Sequence, residues 1–129
     1  MSAKKPIVWF EIYVNDLQQA QKFYETVFQI TLESLSPPGE EGEGFQMLSF
    51  PSDMNTHGSS GALVKVNGME AGGNSTLVYF HSDDCSVEEG RVEAAGGKVI
   101  KSKFSIGQYG NCSLAKDSEG NMIGIHSME

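Results

Sequence analysis

Few side chains in this 129-residue chain have the types that do chemistry together: three histidines (His57, His81, His126), two cysteines (Cys85, Cys112) and a set of carboxylates. Three of these groups, Glu11, His81 and His126, fall inside segments of alternating polarity. Their types suit a borderline divalent ion. Glu11 and His126 also form a candidate pair for general acid/base work, provided folding brings them within hydrogen-bond reach. The plainer reading is that all three are polar groups lining an apolar space. Cys112 beside His81 or His126 gives a candidate thiolate pair, against the reading of both cysteines as small buried thiols. His57, in a Ser/Thr/Gly loop, reads as a solvated residue. No glycine-rich segment has phosphate-loop or dinucleotide spacing, and no Ser or Cys sits in a nucleophile elbow.

The elements that must position these groups repeat. An alternating run, Ile7 to Val14, leads into Asn15-Asp16-Leu17, and a second, Thr76 to Ser82, leads into Asp83-Asp84-Cys85, an offset of 68 residues. After Asp16 the apolar residues Leu17, Ala20, Phe23, Tyr24, Val27 and Phe28 have helical spacing, with Asp16 as N-cap and Gln19 completing a capping box. The second helix is thinner. Val87, Val92 and Ala95 mark its apolar face, Ser86 with Glu89 offers its capping box, and Gly96-Gly97 stops it. Strand-like segments follow each helix: Ile30 to Leu35, Phe45 to Phe50 and Ala62 to Val66, then Lys98 to Phe104, Asn111 to Ala115 and Asn121 to His126. Each half reads strand, helix, strand, strand, strand. The expectation is one 129-residue domain, with modules at about 6–67 and 75–128 joined by a glycine-rich connector at 68–74.

Laid out this way, the chain resembles the vicinal oxygen chelate superfamily, which includes glyoxalase I, bleomycin-resistance proteins and extradiol dioxygenases. The resemblance rests on Phe10-Glu-Ile-Tyr-Val-Asn-Asp16-Leu17 with Phe23-Tyr24, on Gly96-Gly97-Lys-Val99, and on Asp117-Ser-Glu-Gly120-Asn121-Met-Ile123. It implies an α+β fold of two βαβββ modules, a half-open, eight-stranded mixed-sheet barrel around a cavity, commonly in a homodimer. Strand alternation then sends Trp9, Glu11, Tyr13, Leu77, Tyr79, His81, Met122, Gly124 and His126 toward that cavity, while Phe10, Ile12, Val14, Val78, Phe80, Ile123 and Ile125 pack under the helices. Metal-dependent members carry His, Gln or Glu at positions that correspond here to Trp9, Leu77, Gly124 and Ala62. None of these four supplies an imidazole or carboxylate.

Composition bounds the partners. Nine Lys+Arg against 17 Asp+Glu give a net charge of −8, which opposes a phosphate backbone or an anionic membrane surface. No apolar run approaches the ~18 residues of a bilayer span, and the N-terminus lacks a signal peptide's apolar stretch, so a cytoplasmic location is expected. Glu40, Glu41 and Glu43 beside Pro37-Pro38-Gly39 read as a solvated run, or as an acidic lid that attracts cations. Tyr109, between Gly107 and Gly110, is a candidate gate.

The expected function is the binding of a small organic molecule, cationic or neutral, without a cofactor at the inherited metal positions, with sequestration as one form of it. Glu11 and His126 are the candidate acid/base groups, and Trp9, Tyr13, Tyr79, His81 and Met122 the ligand-contacting set. The alternative is a lyase, isomerase or dioxygenase in which Glu11, His81 and His126 hold a relocated zinc, nickel or iron ion or act as acid and base.

Overall fold

The computed structural model describes residues 9–35, 45–52, 58–68, 70–73 and 76–129. The acidic run Glu40–Glu43 and His57 lie outside them. The element order is β1 (Trp9–Tyr13), α1 (Leu17–Phe28), β2 (Glu33–Leu35), β3 (Phe45–Ser49), β4 (Ser60–Val66), β5 (Val78–His81), α2 (Cys85–Val92), β6 (Lys98–Ser105), β7 (Asn111–Lys116) and β8 (Met122–Ser127), with a 3-10 turn at Gly107–Tyr109 before β7. Two four-stranded sheets result, ordered β1-β4-β3-β2 and β5-β8-β7-β6. In each, the first strand lies parallel to the last and the remaining pairs are antiparallel. This is the two-module βαβββ arrangement that the repeat implied.

The helices start where their caps allow. Asp16 holds an extended backbone and its side chain accepts the Gln19 amide at 3.1 Å, satisfying one of the orphan N–H groups of α1. Only half of the expected capping box forms, because the Asp16 amide donates to Glu119 instead. The cap of α2 differs from the sequence expectation. Asp84, two residues before the expected Ser86, accepts the Ser86 amide, while Glu89 turns away to take the Lys103 amide and the Ser113 hydroxyl. Asp84 wins because it also meets Lys103 Nζ at 2.9 Å, and these bonds lower its carboxyl to about 2.

The core lies between the helices and the covered sheet faces. It includes Ile12, Ala20, Phe23, Tyr24, Leu63 and Ile123, all buried. An aromatic chain joins the modules: Phe28 stacks on Phe80 with centroids 4.5 Å apart, and Phe50 meets Phe80 at 5.6 Å. Cys85 and Cys112 are free and buried, and burial, with Cys85 nearby, pushes the Cys112 thiol up. No helix among the described residues is long and apolar enough to cross a membrane.

The β7–β8 hairpin is the clamp between modules. The buried Asp117 carboxylate accepts the Tyr24 hydroxyl at 2.6 Å, the Glu119 and Asn121 amides at 2.8 and 2.9 Å, and the Asn121 side-chain amide at 3.1 Å. Asn121 continues the clamp, donating to the Tyr13 carbonyl of β1 and accepting from the Gly72 amide in the connector. Burial, followed by the charge and hydrogen bond of Asp117, holds the Tyr24 phenol well above 10.0. Tyr24→Phe is therefore expected to cost ~1–3 kcal/mol in urea denaturation, the range for losing one partner of a buried charged hydrogen bond. A folded pKa above the unfolded value gives stability that is complete below about pH 10 and lost as pH rises toward the folded value. The Tyr24→Phe midpoint should accordingly fall less steeply above about pH 10 than that of the parent.

Candidate functional site

The first strand of each sheet is an edge, and β1 and β5 face one another across a crevice. Alternation along them follows the sequence expectation: Trp9 and Tyr79 are 40% and 49% exposed, whereas Ile12 and Val14 are buried and Phe10 and Phe80 pack on the core. Glycine makes the strand spacing workable at two points. A Cβ on Gly61 would stand 2.3 Å from the Phe10 ring, and one on Gly124 would stand 2.4 Å from the Tyr79 ring, so each aromatic lies flat over the partner strand. Register supports this, since Phe10 pairs with Gly61 and Tyr79 with Gly124.

Two adjoining hollows follow the crevice, and a third lies beside them on the second sheet. An inner cleft of about 370 Å³ is walled by Glu11, Tyr13, Glu70, Asn121 and Met122. A longer hollow of about 720 Å³ is walled chiefly by Trp9, Phe28, Phe50, Leu77 and Tyr79, with Glu88 at one side. An outer niche of about 460 Å³ carries His81, Phe104, Cys112 and His126 beside Tyr79. Phe10, Thr76 and Val78 belong to both the cleft and the long hollow, so those two spaces share a boundary.

Glu11 is the organised polar group. The Trp9 indole N–H donates to one of its oxygens at 3.1 Å and the Tyr13 hydroxyl to the other at 2.6 Å. The alternation that puts these three side chains on one face also puts the carboxylate between an indole and a phenol. The hydrogen bond to Glu11 is the main reason the Tyr13 phenol lies above 10.0, with burial and the carboxylate's charge adding to it.

The structure does not pair Glu11 with His126. Glu11 borders the inner cleft, where β8 begins at Met122, whereas His126 lies four residues further along that strand, a displacement of roughly 13 Å. His126 Nε2 stands 2.7 Å from the Tyr109 carbonyl. A carbonyl only accepts, so Nε2 is the donor in this contact. Tyr109 itself is exposed, and its backbone holds His126. His81 and His126 are register partners, as are His126 and Cys112. His81 Nε2 lies 3.7 Å from Asp83 in an exposed pair.

Among the described residues no three His, Cys, Asp or Glu side chains stand where they could share an ion. The positions that would carry the inherited metal do not fit one. Trp9 and Leu77 have no donor for a cation, Ala62 is fully buried, and the Tyr79 ring occupies the space a side chain on Gly124 would need. Two lining carboxylates escaped the sequence reading. Glu70 sits in the connector, where no periodicity assigns a direction. Glu88 reaches the long hollow from α2, and only its spacing to Arg91, 3.9 Å away at i,i+3, hinted at an ordered side chain.

Comparison with known proteins places this geometry in context. Residues 6–125 match the family described as the Glyoxalase/Bleomycin resistance protein/Dioxygenase superfamily. A sequence relative, the anthracycline biosynthesis protein DnrV of Streptomyces peucetius, is 28% identical over 130 residues; the match takes in 91% of this chain but 45% of DnrV, so the chain spans about half that protein's length. A solved glyoxalase/bleomycin resistance protein from Albidiferax ferrireducens T118 superposes with a TM-score of 0.67 at 20% identity, covering 94% of this chain and 98% of that one. TnmS3, an antibiotic binding protein from Streptomyces sp. CB03234, superposes with a TM-score of 0.61 at 21% identity, covering 98% of each chain.

The Tyr13–Glu11 bond can be read directly. Phenolate absorbance during alkaline titration should show Tyr13 ionising above the free-tyrosine range, and Glu11→Gln should return it toward 10.0. A Tyr13 titration indifferent to Glu11→Gln would contradict the contact.

Proposed function

The chain belongs to the Glyoxalase/Bleomycin resistance protein/Dioxygenase superfamily, and on that footing we propose that it binds a small organic molecule in the crevice between β1 and β5, using side chains alone. The observation that carries this reading is Glu11. It is a carboxylate gripped by Trp9 and Tyr13 on the wall of a cleft that opens beside a large, mainly apolar hollow. Apolar walls with a few fixed polar groups are the usual make-up of ligand sites, and these volumes fall within the range of ~300–1,000 Å³.

A cationic or neutral ligand is favoured over an anion, because the net charge is −8 and no Lys, Arg or His is among the described residues lining the inner cleft. Binding without turnover fits an arrangement in which Glu11 is held by two donors and His126 by a backbone carbonyl. That an antibiotic binding protein shares the fold, and that an anthracycline biosynthesis protein is a sequence relative, supports a small-molecule role. The homodimer and the cytoplasmic location belong to the same reading.

Calorimetry against planar aromatic amines tests it. Saturable binding is expected, weakened about tenfold or more by Trp9→Ala, which removes an aromatic wall and one grip on Glu11. Absence of heat across the panel, or affinity that survives Trp9→Ala, would overturn it. Sedimentation equilibrium reads the dimer, and a monomer at micromolar concentration would contradict that part.

A further inference from the structure

The inner cleft and the long hollow differ in what they can satisfy, and they share a wall. Two side-chain donors of the cleft, from Tyr13 and Asn121, are already committed. The Tyr13 hydroxyl donates to Glu11, and the Asn121 amide donates to the Tyr13 carbonyl and to Asp117, while its oxygen accepts from Gly72. The indole N–H of Trp9, from the neighbouring hollow, is also spent on Glu11. Each Glu11 oxygen has two acceptor positions and uses one on these partners, so acceptor capacity remains there. Glu70 adds a second carboxylate from the connector.

That connector is not a passive tether. The Ala71 amide donates to Asn15 at 3.3 Å and the Gly72 amide to Asn121 at 2.7 Å, which ties the segment carrying Glu70 to both modules. Across the boundary formed by Phe10, Thr76 and Val78, the long hollow offers aromatic and aliphatic walls. A ligand that fills both spaces must bring its own donors and positive charge to one end and a flat apolar body to the other.

We infer that the ligand is a flat aromatic ring system bearing a protonated amine, and that Glu70 of the connector binds the amine opposite Glu11 while the rings occupy the long hollow. This rests on the crevice being a ligand site, as proposed above, and adds the ligand class and a residue outside both sheets. The charge supplies orientation, since two carboxylates border the cleft, whereas the one at the side of the hollow, Glu88, already accepts the Ser82 hydroxyl and lies 3.9 Å from Arg91.

Three probes of one shape test this: naphthylmethylamine, naphthylmethanol and naphthoate, titrated by calorimetry into the protein, Glu70→Gln and Glu11→Gln at neutral pH and low salt. The expected order is amine, then alcohol, then acid. Glu70→Gln should weaken the amine about 2- to 5-fold, as for a part-exposed ion pair, and the alcohol less, whereas Glu11→Gln, which also alters the Trp9 and Tyr13 contacts, should weaken both. Equal affinity for amine and alcohol, or an amine preference that survives Glu70→Gln, would overturn the inference while leaving the crevice as a ligand site. Failure of all three probes to bind would remove the underlying reading as well.

Discussion

Asp117 is the point on which the geometry turns. A buried carboxylate is costly unless its lone pairs are filled, and here four donors fill them, from Tyr24 of α1, the Glu119 and Asn121 amides and the Asn121 side chain. Because one donor belongs to the first module and the rest to the hairpin of the second, satisfying the charge also fixes how the sheets face each other. Glu119 reinforces the contact by accepting the Asn15 and Asp16 amides, and Arg91 by donating to the Val27 carbonyl at the end of α1. The crevice between β1 and β5 is the space this clamp leaves open.

Within that space aromatic rings stand at or over two of the positions where the resemblance would place ligands to an ion. Trp9 supplies an indole that holds Glu11, and Gly124 leaves room for the Tyr79 ring. The result is a cleft whose polarity comes from a hydrogen-bonded carboxylate and whose bulk comes from apolar walls.

Much of the fold could be read from the chain. The 68-residue offset gave the two modules, helical spacing gave α1, and strict alternation assigned Trp9, Glu11 and Tyr13 to one face and Phe10, Ile12 and Val14 to the other. Alternation is local, and there it succeeded. It could not say how far apart two residues on one face stand, so it left open whether Glu11 meets His126, and the two border different hollows. Nor could it find Glu70, whose place depends on two backbone bonds to Asn15 and Asn121 across 56 and 49 residues. The α2 cap was misread because Lys103, 19 residues on from Asp84, decided it.

The central claim is that the crevice holds an organic ligand through side chains and needs no ion. An amide NMR titration with naphthylmethylamine in excess chelator tests it most directly. The account predicts saturable shifts along Trp9–Tyr13, Glu70–Gly73 and Val78–His81, with the outer strand Lys98–Ser105 unmoved. Shifts that appear only after a divalent metal is restored, or that centre on the outer strand, would contradict it.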